Sequence, residues 1–180
     1  LATGSDVGGS LRVPASCCNV VGLKPTLGVV PNRSPTDGFS IHTPFLVSGP
    51  MARTVEDTAL LLDILAGPDD RDPHSVPDPG TDYVAATGRP AADLSVAYSP
   101  NLDLQPVAPQ VRETVGAAVD DLAAAGVTVD PVDVSLPPYD ELSMAYVTQV
   151  GVSFRASADR IAAAYGIDFE TADLEPTVRA

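Results

Sequence analysis

Nine residues near the start of the chain, Gly4-Ser5-Asp6-Val7-Gly8-Gly9-Ser10-Leu11-Arg12, hold the residue types from which a nucleophilic site can be built. Ser10 offers a hydroxyl. Gly4, Gly8 and Gly9 permit positive φ and let a substrate approach the main chain. N–H groups in a Gly-rich turn just before a serine can cradle an oxyanion, and acyl transfer needs such donors where charge develops on the carbonyl oxygen. Two plainer readings stand beside this one. A Gly/Ser stretch is also an ordinary surface loop, and it could cradle a phosphate, although the Gly-Lys-Ser/Thr ending of a phosphate loop is missing. Asp6 and Arg12 flank the serine. An Asx-type turn at Asp6 and an ion pair to Arg12 would stiffen the loop, and the same stiffness would support an oxyanion hole from behind.

The surrounding pattern indicates what must position these groups. Residues 1–10 read as a small-residue loop. Pro14 biases Val13 toward extended backbone, so a helix is expected to start at Pro14 rather than earlier. Val20-Val21-Gly22-Leu23 reads as a buried strand ended by Lys24-Pro25. Residues 27–48, rich in Pro, Ser, Asn and Gly, read as a long irregular loop. Thr54 followed by Asp57 resembles a capping box, and Val55, Ala59, Leu62 and Leu65 continue at helical spacing until Gly67-Pro68. Residues 67–92 read as a surface connection with one helical turn near Tyr83. Leu94–Tyr98, a helix over Ala108–Ala125, and a strand marked by Val127, Val129 and Val132 form a β-α-β unit with parallel strands. In that helix, Val111, Val115, Ala118, Val119 and Leu122 share one face. Leu142–Tyr165 reads as one helix, or as two broken near Gly151.

Composition narrows the function classes. The chain has 180 residues, 44% of them apolar and 19% charged, which describes a globular domain with room for a core. Its net charge of −14 argues against a nucleic-acid surface. No apolar run is long enough to span a membrane. Adjacent cysteines, Cys17 and Cys18, exclude a disulfide scaffold, and His42 and His74 have no metal-ligand spacing around them. Residues 1–55 are net +2 and residues 56–180 net −16, with Lys24 the sole lysine. Such a surface suits a soluble acidic protein or one adapted to high salt. Nothing in the pattern sets an oligomeric state.

Two stretches in order, GSDVGGSLRVPASCCNVVGLKPT from Gly4 and GPMARTVEDTALLLDILAG from Gly49, resemble the amidase signature family. The resemblance covers residues 1 to about 100 and extends more weakly over the β-α-β stretch. It implies an α/β fold, part of a large mixed β-sheet core flanked by helices, incomplete at the N-terminus and at the C-terminus. The whole of 1–180 would then be a partial amidase domain. Its nucleophile loop and signature core would occupy 1–66, a surface connection 67–92, and the β-α-β and helical part 93–180. It implies an amidohydrolase that cleaves a linear carboxamide with a Ser–cis-Ser–Lys triad. Ser10 matches the nucleophile, and the backbone N–H groups of Val7, Gly8, Gly9 and Ser10 match the oxyanion hole. The family's lysine and bridging serine lie upstream of that motif, so this chain is expected to be a piece of a longer protein and inactive alone. Lys24 sits in the Gly-Leu-Lys-Pro-Thr step, which is not the family's catalytic lysine.

By the same resemblance, no metal or organic cofactor is expected, and the partner is a small amide rather than a nucleic acid or a membrane. The cytoplasm is the expected location, with no signal peptide in view. Several positions depart from the family's pattern. Cys17-Cys18-Asn19 replaces an aromatic or small residue, Cys and Gly. Asn tolerates the left-handed conformation, so the turn is expected to persist, and Cys18 is expected to be a buried small residue. Val29 replaces a frequent Arg. Val13 stands where the glutaminase (A) subunits of tRNA-dependent amidotransferases usually carry Gln. A glutaminase of that kind remains an alternative, as does an inactive relative that binds amides.

Overall fold

The computed structural model describes residues 1–32, 45–77 and 80–168. Two compact units can be distinguished, one of Leu1–Thr87 with the chain from Gln149 onward, the other of Gly88–Thr148. The second division falls inside a single long helix.

The first unit is built on a three-stranded antiparallel sheet. Strand β1 (Ala2–Asp6) and strand β2 (Val21–Gly22) lie on either side of strand β3 (Val47–Ala52). The register sets Gly4 opposite Gly49, Asp6 opposite Val47, and Gly22 opposite Met51. All three strands differ from expectation. The segment expected as a loop over 1–10 is extended from Ala2, because β3 supplies the hydrogen bonds that its small polar residues do not favour by themselves. β3 begins at Val47, inside the 27–48 stretch expected as an irregular loop, and runs through Gly49-Pro50. Pro50 has no N–H to leave unpaired, its carbonyl accepts from the Leu23 N–H at 3.1 Å, and it is fully buried. β2 is shorter than expected and half-buried rather than buried, as an edge strand is.

Helix α1 (Arg12–Cys18) starts two residues before the expected Pro14. In the first turn an N–H has no intrahelical partner, so the proline costs no bond there. Asn19 ends the helix at φ 53° and ψ 50°, the left-handed geometry expected of it, and its N–H caps the Ala15 and Ser16 carbonyls. Helix α2 (Val55–Leu65) starts as expected, with the Asp57 N–H donating to Thr54 Oγ1 at 3.0 Å. The short helix α3 (Tyr83–Thr87) lies where one turn was expected. Asp63 on α2 caps it by accepting from the Tyr83 and Val84 N–H groups. The core of this unit gathers Leu11, Ala15, Val30, Val47, Ala52, Ala59 and Leu62.

In the second unit, strand β4 (Ser95–Tyr98), helix α4 (Pro109–Ala124) and strand β5 (Thr128–Pro131) form the expected β-α-β arrangement, and the strands pair in parallel. The apolar face of α4 is not buried: Val111, Val115 and Leu122 are exposed. Helix α5 (Tyr139–Tyr165) is continuous through Gly151 and begins three residues before the expected Leu142. A β-carbon at Gly151 would meet nothing within 4 Å, so no packing forces a break there. Among the described residues, no helix is long and apolar enough to cross a membrane.

Candidate active site

Strand β1 delivers the chain into the site and helix α1 carries it away. Between them, Val7–Leu11 form a tight turn with Ser10 exposed on it. Gly9 has φ +116°, which L side chains rarely adopt, and a β-carbon there would lie 3.0 Å from Val13 Cγ2. The Val13 N–H returns to the Gly9 carbonyl at 2.7 Å and starts the first helical turn.

Asp6 organises this turn. It ends β1 and is completely buried. Its Oδ1 accepts from the Gly9 N–H at 2.7 Å and from Arg12 Nη2 at 3.1 Å. Its Oδ2 accepts from the Leu11 N–H at 3.2 Å and from Arg12 Nε at 2.9 Å. The guanidinium thus meets the carboxylate with two parallel bonds, while the Arg12 side chain remains 54% exposed. The Arg12 hydrogen bonds hold the Asp6 carboxyl well below the usual carboxylate range. Burial opposes this shift, and the Gly9 and Leu11 N–H groups reinforce it. Asp6 in turn pushes the Arg12 pKa up. The Asx-type turn and the ion pair, two halves of one expectation, are therefore made by the same side chain.

This arrangement divides the backbone donors. The Gly9 N–H points inward to Asp6. The N–H groups of Val7, Gly8 and Ser10, and the Ser10 hydroxyl, have no acceptor among the described residues. The exposed Ser10 hydroxyl and these three N–H groups thus lie on one short turn, Val7–Leu11.

Leu11 anchors the turn from beneath, and the sequence does not single it out. Its side chain is fully buried beside Ser10. Three glycines from three strands clear the space it occupies. A β-carbon at Gly4 would lie 3.1 Å from Leu11 Cδ2, one at Gly49 2.8 Å from Leu11 Cδ1, and one at Gly22 2.8 Å from the Leu11 carbonyl oxygen. Glycine at each position reads locally as a turn or strand breaker, and only their convergence explains them.

Lys24 Nζ rests on the Pro25 carbonyl at 3.4 Å, in keeping with a local role. Cys17 and Cys18 are both exposed, which corrects the expectation of a buried Cys18. The second half of α1 packs through Ala15, and both thiols fall on its uncovered side. His42 lies outside the described residues. Asp72 was not anticipated: it is buried, and accepts from the Asn32 N–H at 2.7 Å and the His74 N–H at 2.8 Å. It ties the 67–76 connection to the segment after Val30, and Asn32 is in turn bonded by Ser48 Oγ on β3. Among the described residues, no group of three or more His, Cys, Asp or Glu is placed to hold a metal ion.

With this geometry established, the chain can be set beside known proteins. A family model described as Amidase matches residues 1–178. An acylamidase from Rhodococcus erythropolis is 47% identical over 124 residues, covering 69% of this chain and 25% of that protein. The A subunit of a glutamyl-tRNA(Gln) amidotransferase from Synechococcus sp. (strain RCC307) is 42% identical over 139 residues, covering 77% of this chain and 28% of that protein. The crystal structure of a bacterial aryl acylamidase, described as one of the amidase signature enzymes, superposes with a TM-score of 0.88 at 30% identity. It covers 99% of this chain and 36% of its own. The chain thus spans about a quarter to a third of the length of these proteins.

Proposed function

Because the chain belongs to the amidase signature family, we propose that the protein it forms is an amidohydrolase that cleaves a linear carboxamide through an acyl-enzyme on Ser10. The observation that carries this reading is the exposed Ser10 hydroxyl on a turn whose Val7, Gly8 and Ser10 N–H groups are free of acceptors among the described residues. Ser10 Oγ attacks the carbonyl carbon, and the oxygen that gains charge is received by those donors. The C–N bond breaks, ammonia or an amine leaves with a proton, and water then cleaves the serine ester. Asp6 and Arg12 do not touch the reacting atoms in this scheme. They hold the turn so that the donors stay aimed while charge builds, which is where preorganisation acts. Gly9 contributes its backbone conformation, and its N–H serves Asp6.

Serine needs a base. The family resemblance assigns that role to a lysine acting through a bridging serine, both N-terminal to the nucleophile motif. Residues 1–180 then contribute the nucleophile and the oxyanion donors, and are expected to be inactive by themselves.

A second reading is favoured by the 42% identity to the glutaminase component of an amidotransferase. In that case the amide would be glutamine, and turnover would depend on a second protein chain. Val13, where such glutaminases usually carry Gln, speaks for the first reading. The test is intact mass of the complete protein after a fluorophosphonate, beside Ser10→Ala. A single adduct on the parent that is absent from Ser10→Ala supports an activated Ser10. An unlabelled, folded parent overturns the reading and leaves an amide-binding relative. Glutamine hydrolysis seen only with an added partner chain would select the second reading.

A further inference from the structure

Leu11 and Ala15, one helical turn apart, are buried and form the core side of α1 and of the turn that leads into it. Ser10 and Val13 are exposed on the other side. Three positions separate them, the spacing at which side chains on a helical turn are neighbours. The bond from the Val13 N–H to the Gly9 carbonyl closes that turn. Val13 Cγ2 would lie 3.0 Å from a β-carbon at Gly9, so the isopropyl group covers the residue directly before Ser10. These relations are internal to residues 9–15. Chain beyond residues 1–180 can cover other parts of α1, but it must leave this face open wherever a substrate reaches Ser10.

We propose that Val13 is a specificity-determining residue for the amide cleaved at Ser10, an apolar wall that selects an aliphatic acyl chain over a charged one. The inference rests on Ser10 as the nucleophile and names the substrate class of that site. The acyl group is the part that meets Val13. It stays joined to Ser10 Oγ after the C–N bond breaks, whereas the leaving nitrogen faces the base proposed to lie N-terminal to the motif. The turn gives that acyl group few other side chains to meet. Gly8 and Gly9 carry none, and the Asp6 carboxylate is buried and already accepts from Gly9, Leu11 and two Arg12 nitrogens. A methylene laid against Val13 leaves water favourably, while a charged group there loses hydration and gains no partner from the isopropyl group.

The test measures kcat/KM of the complete protein for acetamide, pentanamide and glutamine, with Val13→Thr and Val13→Ala beside the parent. Pentanamide has the carbon chain of glutamine without its two charged groups. Val13→Thr keeps the branched shape over Gly9 and exchanges one methyl for a hydroxyl, and neither substitution touches Leu11 or Ala15. The parent should prefer pentanamide to both other amides. The ratio of kcat/KM for pentanamide to that for acetamide should fall about tenfold in each variant, the order of effect that one apolar contact has on selection. A parent that prefers glutamine overturns the inference, and so does a pentanamide preference that neither substitution changes. Fluorophosphonate labelling separates this from the reading beneath it. An adduct at Ser10 without pentanamide turnover overturns the role of Val13 alone, whereas a folded parent that takes no adduct and cleaves none of the three amides overturns both.

Discussion

Asp6→Asn exchanges one carboxylate oxygen for an NH2 at the centre of the nucleophile turn and leaves side-chain volume almost unchanged. If the amide oxygen stays on the Gly9 side, it keeps the Gly9 N–H and Arg12 Nη2 contacts without their charge. The NH2 then faces the Leu11 N–H and Arg12 Nε, donor against donor. Flipping the amide only moves the conflict to Gly9. Leu11 and Asp6 are both fully buried, so no water relieves the stranded N–H, which costs about 1–3 kcal/mol. Loss of charge assistance from Arg12 adds about 1 kcal/mol, held low because that side chain is half exposed and screened. A total near 3 kcal/mol is expected, measured as a shift in the urea midpoint at constant slope on the complete protein. The sign with pH follows from the lowered Asp6 pKa. Its contribution is fully present above the ordinary value of 3.8 and is lost as pH falls toward the depressed one. The gap between parent and variant should therefore close as pH drops below about 4. Fluorophosphonate labelling of Ser10 in folded Asp6→Asn should slow by about ten- to a hundredfold, since small misplacements of donors and nucleophile have costs of that order. A variant with an unchanged midpoint and an unchanged labelling rate would refute the role given to Asp6. So would a gap that stays constant down to pH 2.

Other substitutions test the supports around the turn. Gly49→Ala places a methyl 2.4 Å from the Leu23 carbonyl oxygen and 2.8 Å from Leu11 Cδ1, and should cost about 2–4 kcal/mol in denaturant titration or prevent folding. Gly116→Ala is its counterpart. Nothing lies within 4 Å of a β-carbon there, so the variant should gain about 0.5–1 kcal/mol from helix propensity alone, seen as a rise in Tm. Asn19→Gly should match or exceed the parent, whereas Asn19→Ala should lose about 1 kcal/mol, because φ 53° favours the residue without a β-carbon. Thr54→Ala removes the acceptor for the Asp57 N–H and should cost about 1 kcal/mol by the same titration.

Features legible in the sequence were those whose cause lies within a few residues. The Thr54 cap and the helix after it, the left-handed turn at Asn19 and the parallel β-α-β unit all follow from local spacing, capping and backbone preference. The pairing of Asp6 with Arg12, six positions apart, was legible for the same reason, whereas the stretch around Ser10 reads locally as no more than a Gly/Ser loop and takes its role from the family resemblance. Tertiary structure decided the rest. Ala2–Asp6 is a strand because Val47–Ala52, more than forty residues away, lies beside it, and Gly49-Pro50 serves in a central strand because burial and pairing outweigh local turn preference. Gly4, Gly22 and Gly49 are each unremarkable alone. Folding brings them around Leu11, and so sets how firmly the turn carrying Ser10 is held. The buried carboxylate of Asp6 claims the Gly9 N–H and leaves those of Val7, Gly8 and Ser10 without an acceptor among the described residues. Such an allocation depends on which groups are buried together, and a linear pattern of residue types contains no term for that.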